Sequence, residues 1–428
     1  SSFGIRGIKI IVDGIPQTSP DGQTQLDNLP IGIMESLEVI RGPAANLYGN
    51  SSGGVITINT ISGEGQNKTN YKAIFGAYDY KSVMRLKTFN WDKTYLVVYY
   101  DTKESNGYRE FSGFKNRTIN LKLSHHFSKK SNLVYQLNST NSPYAYDSGG
   151  LTIEEVKLDR TSARQRNIDY KTKETVKHLK TGLSWSLDIN ERANIQSFAF
   201  YQHRDFYSLL PFGFGGVISL DKDVFGFGSR LQNKNKQNNY LNTFQLGFDY
   251  SNQKDQRDRY RNNLGEEGEN VFSQLEKFSS FGLYILNQAE FENGVLLRLG
   301  SRFDSNKIAT DNMNESIILN KLNPSIGITY NTNNRSNLFI TLGTSFETPT
   351  LNELSNNPTG GMGFNKDLEP ISSLSYEYGW KGNFSNSSLE IIGYNILSTN
   401  EILPYELEEY PGKNFYRNVG ETSRSGLE

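Results

Sequence analysis

Apolar and polar side chains alternate along most of this chain, from about residue 71 to the last residues. In 243–250 the even positions hold Phe, Leu, Phe and Tyr, and the odd positions hold Thr, Gln, Gly and Asp. Successive side chains of a β-strand point to opposite faces, so this period of two gives each strand one apolar and one polar face. The pattern predicts a transmembrane antiparallel β-barrel of about sixteen strands, with apolar faces against lipid and polar faces against water.

The connections between these segments alternate between short and long. Short polar turns are expected near 90–93, 128–131, 188–191, 233–239, 292–294, 331–336 and 383–387. Long connections are expected over 140–175, 203–221, 251–277, 305–321, 347–372 and 398–413. This alternation is typical of outer-membrane barrels, which have short periplasmic turns and long outer loops. A β-sandwich would show similar strand alternation, but with shorter strands and more uniform connections.

Composition excludes several classes of protein. The formal net charge of -1 gives no bulk electrostatic case for a nucleic-acid partner. The absence of cysteine excludes disulfides and thiolate metal sites. No apolar run is long enough for a transmembrane helix.

Residues 1–65 differ from the rest of the chain. Short apolar runs at 8–12, 37–40 and 55–58 are separated by Gly, Pro and Asn, which predicts a small α+β unit with tight turns. The polar, glycine-containing stretch 62–70 is expected to link this unit to the strands that follow.

Short motifs in both parts resemble one family, the TonB-dependent outer-membrane receptors. In the first part these are Ile5-Arg6-Gly7, Ile11-Val12-Asp13-Gly14-Ile15-Pro16, Glu38-Val39-Ile40-Arg41-Gly42-Pro43, Leu47-Tyr48-Gly49 and Gly53-Gly54-Val55-Ile56-Thr57-Ile58. In the second part they are Phe346 to Leu354, Leu368-Glu369-Pro370, Tyr376-Glu377-Tyr378-Gly379, Asn418-Val419-Gly420 and Gly426-Leu427-Glu428. All of them occur in family order, so the resemblance spans the whole chain.

The resemblance implies a barrel of about 22 strands, filled by an N-terminal plug. Residues 1–65 would be the C-terminal part of the plug, and 66–428 an incomplete barrel. The segment that contacts TonB would then precede Ser1, and the remaining strands would follow Glu428.

Two arginines of the plug motifs are expected to hold the plug in place. Arg6 and Arg41 lie near apolar residues, and a buried guanidinium requires carboxylate partners. The resemblance implies that these partners are glutamates of the barrel wall, with Glu347 and Glu377 as the candidates by motif position. Alternatively, these residues solvate the lumen or pair elsewhere.

The remaining plug-motif residues are expected to form tight turns and close contacts with the wall. They are Asp13, Gly14, Glu38, Gly42, Pro43, Tyr48, Gly49, Gly53 and Gly54. A phosphate-binding loop is the alternative for the glycines, but the stretch lacks the Gly-Lys-Ser/Thr ending that such loops need.

Two groups of residues are candidates for contact with a bound solute. The first lies in a polar turn of the plug and comprises Asp21, Gln23 and Gln25. The second comprises residues placed in the long connections, namely Tyr144, Tyr146, Phe212, Phe214, Met362 and Phe364. An ordinary Pro-Asp-Gly turn is the alternative for the first group, and self-packing loops or an aromatic girdle for the second.

The histidines and acidic residues predict neither an enzyme nor a metal site. His125 and His126 are adjacent on a strand, so they point to opposite faces. No spacing resembles a zinc site or a Gly-x-Ser-x-Gly nucleophile elbow. No cofactor is expected.

The resemblance implies TonB-dependent import of a scarce solute across the outer membrane of a Gram-negative bacterium. A ferric siderophore or other iron chelate is the expected substrate, and a vitamin-like organic cofactor, haem or an oligosaccharide are the alternatives. TonB, outer-membrane lipid and the solute are the expected partners of a monomer. A passive porin, or a surface adhesin or phage receptor, are the alternatives of another class.

Overall fold

The computed structural model describes residues 5–42, 48–65, 67–314, 316–333, 335–410 and 413–428. Pro43 of the plug motif lies outside these ranges. The described residues form two sheets, one of four strands and one of sixteen. Among them, no helix is both long and apolar enough to span a bilayer.

The small sheet has the order β2-β1-β4-β3, with strands β1 (Ile8–Val12), β2 (Ile15–Pro16), β3 (Met34–Ile40) and β4 (Gly54–Thr60). β1 and β4 run parallel, and the other pairs are antiparallel. Asp13 and Gly14 join β1 to β2 with φ values of 46° and 83°. Positive φ at both positions is the requirement of the type I′ hairpin turn, which Asp-Gly meets. Between β2 and β3, the chain forms a 3-10 turn at Ile31–Ile33.

The large sheet contains β5 to β20 in sequence order, with every neighbouring pair antiparallel. The prediction of about sixteen strands is confirmed. The sheet is open, with β5 and β20 at its edges. Its strands are β5 (Thr69–Gly76), β6 (Tyr80–Trp91), β7 (Thr94–Ser105), β8 (Phe114–Ser128), β9 (Ser131–Tyr146), β10 (Lys173–Asp188), β11 (Ala193–Leu209), β12 (Val217–Lys236), β13 (Tyr240–Asn263), β14 (Glu266–Phe291), β15 (Val295–Thr310), β16 (Ile317–Asn333), β17 (Ser336–Glu347), β18 (Ile371–Asn383), β19 (Ser388–Glu406) and β20 (Asn414–Leu427).

The predicted short turns are present at one end of this sheet. Only some of the connections that were predicted to be long are long in the structure. Two connections are long: 147–172, with helices α1 (Ile153–Leu158) and α2 (Gln165–Asp169), and 348–370, with helix α3 (Leu351–Ser355). The predicted long loop at 251–277 is wrong, because β13 and β14 pair as far as Asn263 and Glu266. Those strand ends are polar on both faces, so the sequence lacks the alternation that marks a half-apolar strand.

The two faces of the large sheet differ as the alternation predicts. Leu299 and Phe303 of β15 are exposed on the outward face, whereas Arg302 and Asp304 of the same strand are buried. The buried face is turned toward the small sheet, since Lys122 on that face contacts Asp13. The polar face therefore lines a lumen that the small sheet occupies.

Candidate functional site

Arg6 links the small sheet to the wall through two carboxylates. Its Nη2 lies 3.1 Å from Glu347 Oε2, and its Nη1 donates to Glu353 Oε1. Burial on its own lowers the pKa of Arg6, but the charges of Glu353 and Glu347 outweigh this effect, and the pKa is raised. The structure thus brings Arg6 and Glu347 together, as the motif positions suggested, and adds Glu353.

Glu353 also closes the first turn of α3. The Thr350 hydroxyl accepts from the Glu353 backbone N–H at 3.2 Å, and the Thr350 N–H donates to Glu353 Oε2 at 2.8 Å. This is a capping box, in which the two residues satisfy each other's free N–H groups. The same carboxylate that caps α3 therefore binds Arg6, which ties the plug to the 348–370 connection.

Arg41 makes a different contact from the one expected. Its guanidinium is 56% exposed and pairs with Glu428, the last residue of the chain. Glu377 lies instead beside Gly42, where a Cβ atom would come within 2.1 Å of Glu377 Oε1. Glu377 is therefore close to the motif and within reach of the charge of Arg41, but the two side chains form no ion pair within 4.0 Å.

Other contacts between the first sixty residues and the rest of the chain were missed by the sequence analysis. Each joins residues more than one hundred positions apart, and strand alternation predicts the face of a side chain but not its partner. The contacts are Lys122 Nζ to Asp13 Oδ1 at 3.0 Å, Arg204 Nη2 to Asp27 Oδ2 at 2.8 Å, Asn28 Nδ2 to His178 Nε2 at 2.9 Å and Asn50 Nδ2 to Thr348 Oγ1 at 2.8 Å.

The remaining plug-motif residues mostly shape turns. Gly53 donates its N–H to the Gly7 carbonyl at 2.8 Å, and Gly54 has a φ of 130°. Tyr48 accepts from Lys9 at its backbone carbonyl, and burial lowers the pKa of that lysine. Glu38 is exposed on β3.

The polar turn of the plug is covered rather than open. Asp21 is 0% exposed and Gln23 is buried, while Gln25 is half-buried. Asp21 Oδ1 accepts the Gln23 N–H at 3.3 Å, an ordinary Asx turn. In this conformation Asp21 and Gln23 are closed to a solute.

The aromatic candidates separate into two groups. Tyr144 and Tyr146 belong to β9, not to a loop, and pair with Lys115 and Lys173 on the face opposite to the lumen. Phe364 is buried in the apolar cluster beneath the 348–370 connection. Phe364 therefore packs the fold, and the two tyrosines belong to the outward face.

The other candidates, two phenylalanines and a methionine, lie at the long-connection end of the large sheet, which we call the mouth of the lumen. Phe214 is exposed under the guanidinium of Arg261, 5.2 Å from its ring centroid, and Phe212 is half-buried. Met362 is exposed and borders a cavity of about 420 Å³ between the connections at 311–316 and 348–370. Phe214 and Met362 therefore have exposed side chains at this end of the sheet, whereas Phe212 is partly covered.

Two cations at the mouth were not singled out from the sequence. Arg259 of β13 donates to Asn356 Oδ1 at 3.1 Å, and Lys413 lies 4.8 Å from the ring centroid of Phe415. Burial, with the repulsion of Arg259 added, lowers the pKa of Lys413 to about 8. Among the described residues, no carboxylate lies within 4.0 Å of either cation.

Comparison with known protein families decides the identity of this arrangement. Residues 57–428 match the family described as "TonB dependent receptor-like, beta-barrel", and residues 1–55 match the "TonB-dependent Receptor Plug Domain". The chain belongs to the TonB-dependent receptors. Members of this family sit in the outer membrane of Gram-negative bacteria.

Relatives of this TonB-dependent receptor include the vitamin B12 transporter BtuB of Vibrio vulnificus strain CMCP6. The two are 25% identical over 425 residues, which are 94% of this chain and 61% of the relative. BtuB of Vibrio cholerae strain M66-2 is 23% identical over 100% of this chain and 65% of its own length. The chain thus spans less than two thirds of these relatives.

Solved structures share the fold of the receptor. The ferric citrate transporter FecA in its unliganded form has a TM-score of 0.80 at 18% identity, covering 99% of this chain and 66% of that one. BauA, the ferric preacinetobactin receptor from Acinetobacter baumannii, has a TM-score of 0.76 at 10% identity, covering 98% and 67%. The small sheet is thus the plug, and the large sheet is barrel wall.

One histidine of the receptor lies in an acidic cluster that sequence spacing did not reveal. His203 Nε2 lies 3.1 Å from Asp205 Oδ1, and His203 Nδ1 lies 3.1 Å from Asp223 Oδ1. Asp221 completes the group. These side chains face outward, opposite to buried Arg204 and Lys222 in the same strands, so they lie away from the lumen. His125 contacts Thr94, and His126 contacts Glu64.

Gly49 offers a test of how tightly the plug fits the wall. A Cβ at this position would lie 3.0 Å from Arg302 Nε and 3.0 Å from Asp304 Oδ1, whereas a Cβ at Gly14 meets nothing within 4 Å. Both glycines have φ near 80°, so Ala strains the backbone similarly at each. We expect Gly49→Ala to destabilise the docked plug by about 1–3 kcal/mol more than Gly14→Ala. Amide exchange of the plug strands measures the difference, and equal exchange in the two variants would contradict it.

Proposed function

We propose that this receptor imports an anionic metal chelate, with a ferric siderophore or other iron chelate as the first candidate, using energy delivered through TonB. The proposal assumes that the chain lies in a Gram-negative outer membrane as a monomer. The transporter and siderophore-receptor relatives support import as the activity. The observation that carries the substrate class is the pair of mouth cations, Arg259 and Lys413, without a carboxylate partner among the described residues.

The charge of the mouth favours an anion over a neutral solute. A partly buried cation without an ion-pair partner is costly, and an anionic ligand offsets that cost on binding. Arg259 sits beside Gly215 and bonds Asn356, so two outer connections converge on it, and Lys413 belongs to a third. Phe214 and Met362 supply exposed apolar surface nearby for the organic part of a chelate.

Binding and uptake by the protein test this proposal, with a ferric tricarboxylate and cyanocobalamin as the two probes. We expect the double variant Arg259→Gln/Lys413→Gln to bind the ferric tricarboxylate at least about tenfold more weakly, while cyanocobalamin binding is unchanged. Uptake should stop in cells that lack TonB. Tight cyanocobalamin binding without anion binding would overturn the chelate proposal in favour of a vitamin-like cofactor, and uptake without TonB would overturn active import.

The affinity for an anion should also depend on pH through Lys413. The free lysine has a pKa of about 8, so it is a cation below that pH and neutral above it. Affinity for the ferric tricarboxylate should therefore hold below pH 7 and fall as pH rises through 8 to 9. Titrations by tryptophan fluorescence at these pH values measure the effect. Lys413→Arg is the control, because arginine stays charged and should retain affinity without this fall.

A further inference from the structure

Three lysines form a compact patch on the outward face of the wall. Lys254 of β13 and Lys277 of β14 are directly opposite each other in the strand register. Lys277 pairs with Ala309 of β15, which places Lys307 on the adjoining diagonal. All three side chains are exposed. Directly opposite residues have Cβ atoms about 5 Å apart and diagonal ones about 7–8 Å, so one small anion can reach all three.

The positive charge of this patch is only partly offset within the described part of the protein. Like charges directly opposite each other destabilise a sheet. Among the described residues, no carboxylate lies within 4.0 Å of the three lysines. Asp223 is opposite Lys254 in the register and offsets part of its charge, although it also accepts from Tyr201 and lies 3.1 Å from His203 Nδ1. One shared carboxylate cannot balance three lysines, so the patch keeps a net positive charge that a partner outside the chain can bind.

The height of the patch on the wall points to lipid headgroups. Below the lysines, toward the short turns, the same face carries the exposed apolar residues Phe248, Leu283 and Phe303, which pair across β13, β14 and β15. Tilted strands cross the apolar part of a bilayer in about 9–11 residues. Tyr240 begins β13 at the short-turn end, and Lys254 lies fourteen positions further along the strand. This exceeds the length that crosses the apolar part of a bilayer, so Lys254 lies just beyond this band, four positions past Tyr250.

We propose that Lys254, Lys277 and Lys307 bind the phosphate of an anionic lipid headgroup in the leaflet on the long-connection side of the membrane. A phosphate carries charge and several acceptor oxygens, and lysine is a point-charge partner for it. A lipid is favoured over free phosphate because the patch borders the lipid-facing apolar band and not the mouth. This inference rests on the proposed location in the outer membrane.

Lipid retention by the purified protein in neutral-detergent micelles tests the patch. The probes are a diphosphorylated glycolipid, its dephosphorylated form and inorganic phosphate. We expect Lys254→Gln/Lys277→Gln/Lys307→Gln to lower retention of the phosphorylated glycolipid about tenfold or more. The matched control is Lys129→Gln/Lys130→Gln/Lys234→Gln, which removes three exposed lysines at the short-turn end and should leave retention unchanged.

The outcomes separate this inference from the function proposed above. Equal retention of the phosphorylated and dephosphorylated glycolipids by the parent protein would overturn the phosphate site, as would equal losses in the two triple variants. Competition by inorganic phosphate at equal concentration would overturn the preference for lipid. Chelate binding at the mouth is measured in the same samples. If the parent protein does not bind the chelate, this result counts against the transport proposal alone. If the parent protein does not insert into bilayers, the membrane location on which both proposals rest is overturned.

Discussion

Replacing Arg6 with Gln should loosen the plug more than any other single change on the plug side of the interface. The substitution leaves Glu347 and Glu353 without their shared cation, at side-chain exposures of 10% and 7%. Removing one partner of a buried ion pair typically costs 3–5 kcal/mol. Because Arg6 is 27% exposed, we expect the docked plug to lose about 2–4 kcal/mol.

Amide exchange of β1 and β4 measures this loss directly, because these strands are protected only while the plug is docked and folded. Entry of a large antibiotic into cells that carry the variant reports the same loosening as leakage. Arg41→Gln is the matched control, because its pair with Glu428 is exposed and such pairs contribute at most about 1 kcal/mol. Equal exchange in Arg6→Gln and the parent protein would show that the ion pair does not hold the plug.

A triple variant separates the cost of orphaned carboxylates from the net contribution of the pair. Arg6→Gln/Glu347→Gln/Glu353→Gln removes all three charges, and Gln at 353 still completes the capping box with Thr350. Removing every charge of the group avoids the cost of a buried charge left without its partner. The triple variant should therefore exchange more slowly than Arg6→Gln alone.

The architecture could be predicted from the sequence because apolar and polar residues alternate in the part of the strands that crosses the apolar band. The 251–277 region shows where this signal fails. Beyond the band both faces of β13 and β14 meet water or polar side chains, so nothing in the pattern distinguishes a strand from a loop. The outer ends of strands are therefore the part of such a fold that periodicity misses.

The candidate site was predictable where local chemistry or a shared motif marks it. Glu353 could have been found, since Thr350-Leu-Asn-Glu353 is a capping-box sequence inside the same motif as Glu347. The pairing of Arg41 with Glu428 carries no such signal, because it depends on which strand comes to lie beside the plug. The mouth cations Arg259 and Lys413 come together only through folding of separate connections, which one sequence does not specify.

Replacing Arg302 with Met should strongly destabilise the wall. Its guanidinium donates to Asp249 at 2.7 and 2.9 Å and to Asp304 at 2.8 Å, and the side chain is 2% exposed. Gly282 of β14 leaves the space that the guanidinium fills, since a Cβ there would lie 1.8 Å from Nη2. We expect a loss of about 2–4 kcal/mol, because Asp304, which is 2% exposed, and Asp249, which is 26% exposed, are then left close together without their shared cation.

Unfolding of the receptor in detergent micelles with rising guanidinium chloride measures the loss, followed by tryptophan fluorescence. Arg298→Met is the matched control on the same strand and face. Arg298 is half-buried, and among the described residues no carboxylate lies within 4.0 Å of it, so its replacement should cost under about 1.5 kcal/mol. The neutral triple variant Arg302→Met/Asp249→Asn/Asp304→Asn should recover most of the difference. Equal midpoints for Arg302→Met and Arg298→Met would show that the carboxylates find another cation. Lys9 of the plug is a candidate, because its charge already acts on both carboxylates.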